Sequence, residues 1–136
     1  MLDRIDLQIH VPAVTPADLA LPPPAEGTAE AAARVAAARD LQAERGYLNA
    51  HLPTDILDHA AAPDRPGEAL LNEAAQAHNL TARSYHWVMR VARTIADLDA
   101  SERVRRVHIA EALALRRGLA AATGIAAAPH AAGRVA

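Results

Sequence analysis

Between Thr81 and Leu98 the chain reads TARSYHWVMRVARTIADL, and its apolar and polar positions separate cleanly at helical spacing. At roughly 100° per residue, Tyr85, Val88, Met89, Ala92, Ile95 and Ala96 share one side, while Arg83, His86, Arg90, Arg93 and Asp97 share the other. This predicts an amphipathic helix with one apolar face and a row of three arginines opposite. Thr81 is suited to the N-cap, because its hydroxyl can accept a bond from a free first-turn N–H, and Asn79 suits the end of a preceding helix.

The same pattern divides the rest of the chain. In residues 1–12, Ile5, Leu7, Ile9 and Val11 alternate with Asp6, Gln8 and His10, a strand signature ended by Pro12. No second convincing strand follows, so this one is expected to be the remnant of a sheet that lies elsewhere. Residues 13–27, with Pro16 and Pro22 to Pro24, read as an extended linker holding at most one helical turn at Asp18 and Leu19. A helix is predicted from Thr28, as cap, to about Asn49. On it Arg34, Arg39, Gln42 and Arg45 share a broad polar side, Val35, Leu41 and Leu48 face elsewhere, and Gly46 bends or loosens the end. A short helix after Pro53, a loop over 61–67, a helix over 68–78 and a last helix over 107–117 complete the prediction. From Gly118 the chain is Ala, Gly and Pro with few large apolar residues, and a disordered tail is expected over 118–136. The expected class is therefore all-α: a small helical bundle over 28–117.

Composition sharpens that picture. Hydrophobic residues make up 51% of the chain but aromatic ones only 2%, so the core must be built from helices packed closely through Ala. Every basic residue is Arg; Lys is absent, and the phosphate-binding loop GxxxxGK[ST] is thereby excluded from this chain. There is no Cys, no signal peptide and no membrane span, and a cytoplasmic location is expected. Charge is unevenly spread: residues 1–80 carry five Arg against twelve acids, residues 81–117 eight Arg against four. The basic half is suited to face an anion.

The seven histidines form no HxxxH or HExxH pair, and no metal site is expected. No GxSxG elbow, paired carboxylates or Cys nucleophile is present, so the chain on its own is not expected to be catalytic. The arginine row suits either a solvated face or a polyphosphate, since each guanidinium offers a planar fork of donors matched to phosphate oxygens.

Five blocks, DRIDLQIHVP, AARDLQAER, YLNAHL, LTARSYHWVMRVARTIADL and HIAEALALRR, together resemble the C-terminal part of the magnesium chelatase-like AAA+ ATPases, and within them the competence-associated ComM/YifB group. The resemblance covers residues 2 to about 117. It implies that residues 1–12 end a AAA+ core, that 28–117 form the helical lid that closes over nucleotide, and that this part hydrolyses no ATP alone. It also implies ATP and Mg²⁺ as ligands of the full-length protein, and its own core and neighbouring subunits of a hexameric ring as partners. No membrane is implied. Residue by residue, Arg4 falls where relatives keep an arginine finger reaching the neighbour's ATP, and Arg83 where they keep the second sensor arginine. Arg39, Arg45, Arg90 and Arg93 are expected to make lid contacts to the core or a neighbour. The implied activity is ATP-driven remodelling of DNA in recombination or DNA uptake. Two alternatives stay open: the motor subunit of a porphyrin magnesium chelatase, and a stand-alone helical module that binds an acidic partner or DNA.

Overall fold

A computed structural model describes residues 7, 9, 11–23 and 25–116. Most of the expected strand, Arg4 with it, and the expected tail over 118–136 lie outside the described residues. Those described are helical, and among them no strand forms. Six α-helices follow in order: α1 (Pro16–Leu19), α2 (Thr28–Glu44), α3 (Thr54–Ala60), α4 (Arg65–Ala77), α5 (Ala82–Leu98) and α6 (Arg106–Ala114), with a 3₁₀ turn at Asn49–His51 between α2 and α3. The bundle is all-α, as the periodicity predicts.

Local chemistry sets the boundaries. α1 is a single turn in the proline-rich stretch, closed by a reciprocal cap in which the Asp18 N–H donates to the Thr15 hydroxyl and the Thr15 N–H to the Asp18 carboxylate. Gly27, not Thr28, is the N-cap of α2, and Glu30 accepts from its N–H at 3.0 Å. α4 starts before the expected loop has ended, because Asp64 caps it by accepting the Gly67 N–H at 2.8 Å and Pro66 fits the first turn. Thr81 caps α5 as predicted, accepting from the Ser84 N–H at 3.2 Å.

α2, α4 and α5 end in the same motif. The N–H two residues past each C-cap returns to a carbonyl one turn back: Tyr47 to Gln42 at 3.2 Å, Leu80 to Ala75 at 3.0 Å, Ser101 to Ala96 at 2.8 Å. The residue between must be left-handed, and Gly46, Asn79 and Ala100 have φ of 81°, 47° and 51°. Gly46 thus terminates α2 about one turn short of the predicted Asn49 instead of bending it.

α5 is the axis of the bundle. α6, α2, α3 and the 3₁₀ turn all pack on it, and α4 packs on α6. Trp87, Val88, Met89, Ala92, Ile95 and Ala96 of α5 join Leu52, Leu57, Leu70, Leu71, Ile109 and Leu113 in one core. Ala92, Ala96 and Ala112 are wholly buried there, the close Ala-mediated packing that the composition requires.

Ala100 is the only one of the three left-handed residues with a Cβ and no polar side chain to compensate. Ala100→Gly is expected to raise stability by about 0.5–1 kcal/mol, read as a higher midpoint in thermal unfolding.

Candidate functional site

The α2–α5 contact is made by polar faces. Of α2 only Ala38 and Gln42 are buried, whereas Val35, Leu41 and Leu48 remain 51%, 36% and 41% exposed. The helix is turned the opposite way from a conventional amphipathic helix. Gln42 and Arg45 face inward because α5 presents Arg93, Thr94 and Asp97 on that side. A row of three solvated arginines on α5 is therefore not what forms; towards its C-terminal end, at Arg93 and Asp97, the polar side of α5 is an interior surface.

Asp97 is the centre of this surface, with its side chain fully buried. One carboxylate oxygen accepts Arg45 Nη1 at 2.9 Å and Arg93 Nε at 3.1 Å; the other accepts Arg45 Nη2 and Asn49 Nδ2, the latter at 2.7 Å. Asn49 also donates its side chain to Thr94 at 3.1 Å and its backbone N–H to Gln42 at 3.1 Å. Burial pushes the Asp97 carboxyl up. Hydrogen bonds from Arg45 and Asn49, with the charges of Arg93 and Arg45, outweigh it and hold the group below the usual 3.8.

The arginine row on α5 divides accordingly. Arg93 is only 3% exposed, and beyond Asp97 it donates to the carbonyls of Ser101 at 2.6 Å and Glu102 at 2.9 Å, tying the loop after α5 to the helix. Arg90 donates to the Leu52 carbonyl at 2.9 Å and anchors the segment after the 3₁₀ turn. Arg83 is exposed and has no hydrogen bond or ion pair among the described residues. It is the second residue of α5, where the N–H groups of Ala82 and Arg83 also point away from the helix with no acceptor among the described residues. The Thr81–Ser84 hydroxyl contact at 3.0 Å and the two-residue corner from α4 fix this end of the helix. An unpaired guanidinium beside open backbone donors at the positive end of a helix is chemically suited to a phosphate. Arg39 is also exposed and unpaired, but Arg45 is drawn into the interior; the row and the α2 arginines do not form one continuous surface.

His108 is a buried group the pattern does not reveal. Its Nδ1 accepts the Arg105 backbone N–H at 3.0 Å, so the proton sits on Nε2, 3.2 Å from Asp99. Burial lowers its pKa from 6.5; Asp99 opposes this, and Arg105 and Arg93 add to it. Among the described residues no three His, Asp or Glu gather as a metal site, and no helix is long and apolar enough to cross a membrane.

The family described as magnesium chelatase, subunit ChlI C-terminal, matches residues 25–116. Competence protein ComM of Haemophilus influenzae is 33% identical over 117 residues, and the uncharacterized protein YifB of Escherichia coli 35% over 118. The YifB of Salmonella typhimurium is 30% identical over 125 residues. Each comparison covers 85% of this chain but 23% of the relative, so the chain spans under a quarter of their length.

Removing the Asp97 charge leaves Arg93 and Arg45 facing each other without a counter-ion. Asp97→Ala is expected to destabilise by about 3 kcal/mol in denaturant unfolding, against less than about 0.5 kcal/mol for Arg39→Ala. His108 binds its proton less tightly folded than unfolded, so its contribution is complete above pH 6.5 and is lost as pH falls through 6.5 towards the lower folded value. His108→Gln should lower the thermal midpoint at neutral pH yet flatten its decline between about pH 7 and 5.

Proposed function

The chain belongs to the family of the magnesium chelatase subunit ChlI C-terminal region, and from that premise we propose that it is the lid of a ComM/YifB-type AAA+ ATPase. In this reading the lid closes over ATP and Mg²⁺ held by a core, within a cytoplasmic ring of identical subunits. Its movement couples hydrolysis to remodelling of DNA. The observation that carries it is Arg83: alone of the three arginines on α5 it is exposed and uncommitted, at a rigidly capped helix start whose open N–H groups favour phosphate. It supplies positive charge to the γ-phosphate while the interior arginines keep the lid one body. Arg4, outside the described residues, reaches the neighbouring subunit's ATP. The DNA substrate is supported by the name of the Haemophilus influenzae relative, a competence protein. The family's description favours a second reading, the motor subunit of a porphyrin magnesium chelatase, which uses the same lid and the same arginine.

ATP turnover by the full-length protein tests the assignment. Arg83→Ala and Arg4→Ala should each reduce it by about a hundredfold, and DNA should stimulate the wild type. Arg83→Ala should leave the thermal midpoint unchanged, since the exposed side chain makes no hydrogen bond or ion pair among the described residues. Undiminished turnover in both variants would contradict the proposal; stimulation by a porphyrin-chelatase partner and not by DNA would favour the second reading.

A further inference from the structure

α4 and α6 begin side by side. Pro63 and Val104 form an isolated parallel bridge, the Asp64 N–H donates to the Val104 carbonyl at 2.8 Å, and both helices start two residues beyond the bridge. The approach is close: a Cβ on Gly67 would lie 3.2 Å from the Arg106 nitrogen. The N-caps are Asp64 and Arg105, the first helical residues Arg65 and Arg106. Two helix starts thus lie together pointing the same way, and their positive ends reinforce each other.

At α4 the Asp64 cap and Glu68 in the first turn suit such an end, whereas the side chains at the start of α6 are the reverse of what it favours. α6 has an Arg at its N-cap, with no side-chain cap bond, and no acidic residue in its first turn. Arg103 precedes the bridge, and because Val104 between is wholly buried, Arg103 and Arg105 both project outward. Arg65, Arg103, Arg105 and Arg106 are all exposed, and none has an ion-pair partner among the described residues. Of the nearby carboxylates, Asp64 is committed to its cap and Asp99 to His108; Glu68 and Glu102 stay exposed and unpaired. None of the four guanidiniums is within salt-bridge distance of a carboxylate among the described residues, although Asp64, Glu68, Asp99 and Glu102 lie near them along the chain.

We propose that this arginine cluster, Arg65, Arg103, Arg105 and Arg106, is a contact surface for the phosphate backbone of a nucleic acid. The four donors are exposed and distributed over two adjacent helix starts, an arrangement suited to a repeating line of charge. Their planar forks suit phosphodiester oxygens. The surface is separate from Arg83. It deepens the nucleic-acid part of the proposed function and is independent of its nucleotide part.

Arg105→Asp separates binding from folding, because Asp is a preferred N-cap where Arg is not. Anisotropy titrations of the full chain with a labelled single-stranded oligonucleotide, without ATP, should show binding that weakens steeply with salt. Arg105→Asp should bind about fivefold or more weakly with a salt slope shallower by about one, while its thermal midpoint rises. The Arg103→Ala, Arg105→Ala, Arg106→Ala combination should lose more, and Arg34→Ala with Arg39→Ala should stay within about twofold of wild type. Absence of binding, equal loss in the Arg34 and Arg39 control, or competition by polyglutamate as effective as by unlabelled oligonucleotide would each overturn the proposal. Any of these would leave the Arg83 turnover result standing.

Discussion

The arrangement of this bundle depends on the buried carboxylate of Asp97. Of the apolar residues of α2 only Ala38 is buried, so hydrophobic packing alone has little with which to hold it. A buried ion enclosed by Arg45 from α2, Arg93 from its own helix and Asn49 from the 3₁₀ turn fixes three segments at one point. Taking one carboxylate and two guanidiniums out of water is costly, and it is tolerated only because each carboxylate oxygen receives two donors. Such a junction is less forgiving than an apolar one: it admits one register of α2 on α5, and Arg93 extends it to the loop that leads into α6.

That junction also decides what each arginine on α5 can do. Going from the C-terminal to the N-terminal end of the helix, Arg93 is interior, Arg90 is half-buried with one carbonyl partner, and Arg83 is exposed with no hydrogen bond or ion pair among the described residues. The helix is anchored by charge at one end and presents charge at the other. In the lid reading this is mechanically sensible, because a force felt at Arg83 is carried along α5, whose apolar face is in the core, to the junction with α2 and the loop before α6. The arginines near the starts of α4 and α6 stand outside this scheme, on helix ends that disfavour them.

Most of the fold was legible from spacing and capping. Thr81 and the apolar positions of α5 were readable because the local pattern and the tertiary environment agree there. The failures have one physical origin. Periodicity sorts residues into apolar and polar and assumes that polar means exposed, whereas Gln42, Arg45, Asn49, Arg93 and Asp97 satisfy one another in the interior. The four-residue spacings of Arg93 and Asp97 and of Arg45 and Asn49 are local signs of it; Arg45 and Asp97 are 52 residues apart, and nothing local joins them. His108 was hidden for the same reason. Pro66 and Gly67 read as loop, yet proline is at home in a first helical turn and Gly67 is needed there by the approach of Arg106. The place of Arg83 in the first turn of α5 was readable from spacing and capping, although its lack of a hydrogen bond or ion pair among the described residues was not.

In the proposed lid reading the capped start of α5 meets nucleotide while the rest of the arginine row serves the fold. Amide hydrogen exchange of the full-length protein, with and without a non-hydrolysable ATP analogue and Mg²⁺, tests it most directly. Slower exchange on nucleotide addition concentrated at residues 81–86, with little change around Arg93 and residues 101–102, is the predicted result. No change at 81–86, or protection centred on Arg93 and the loop it holds, would contradict it.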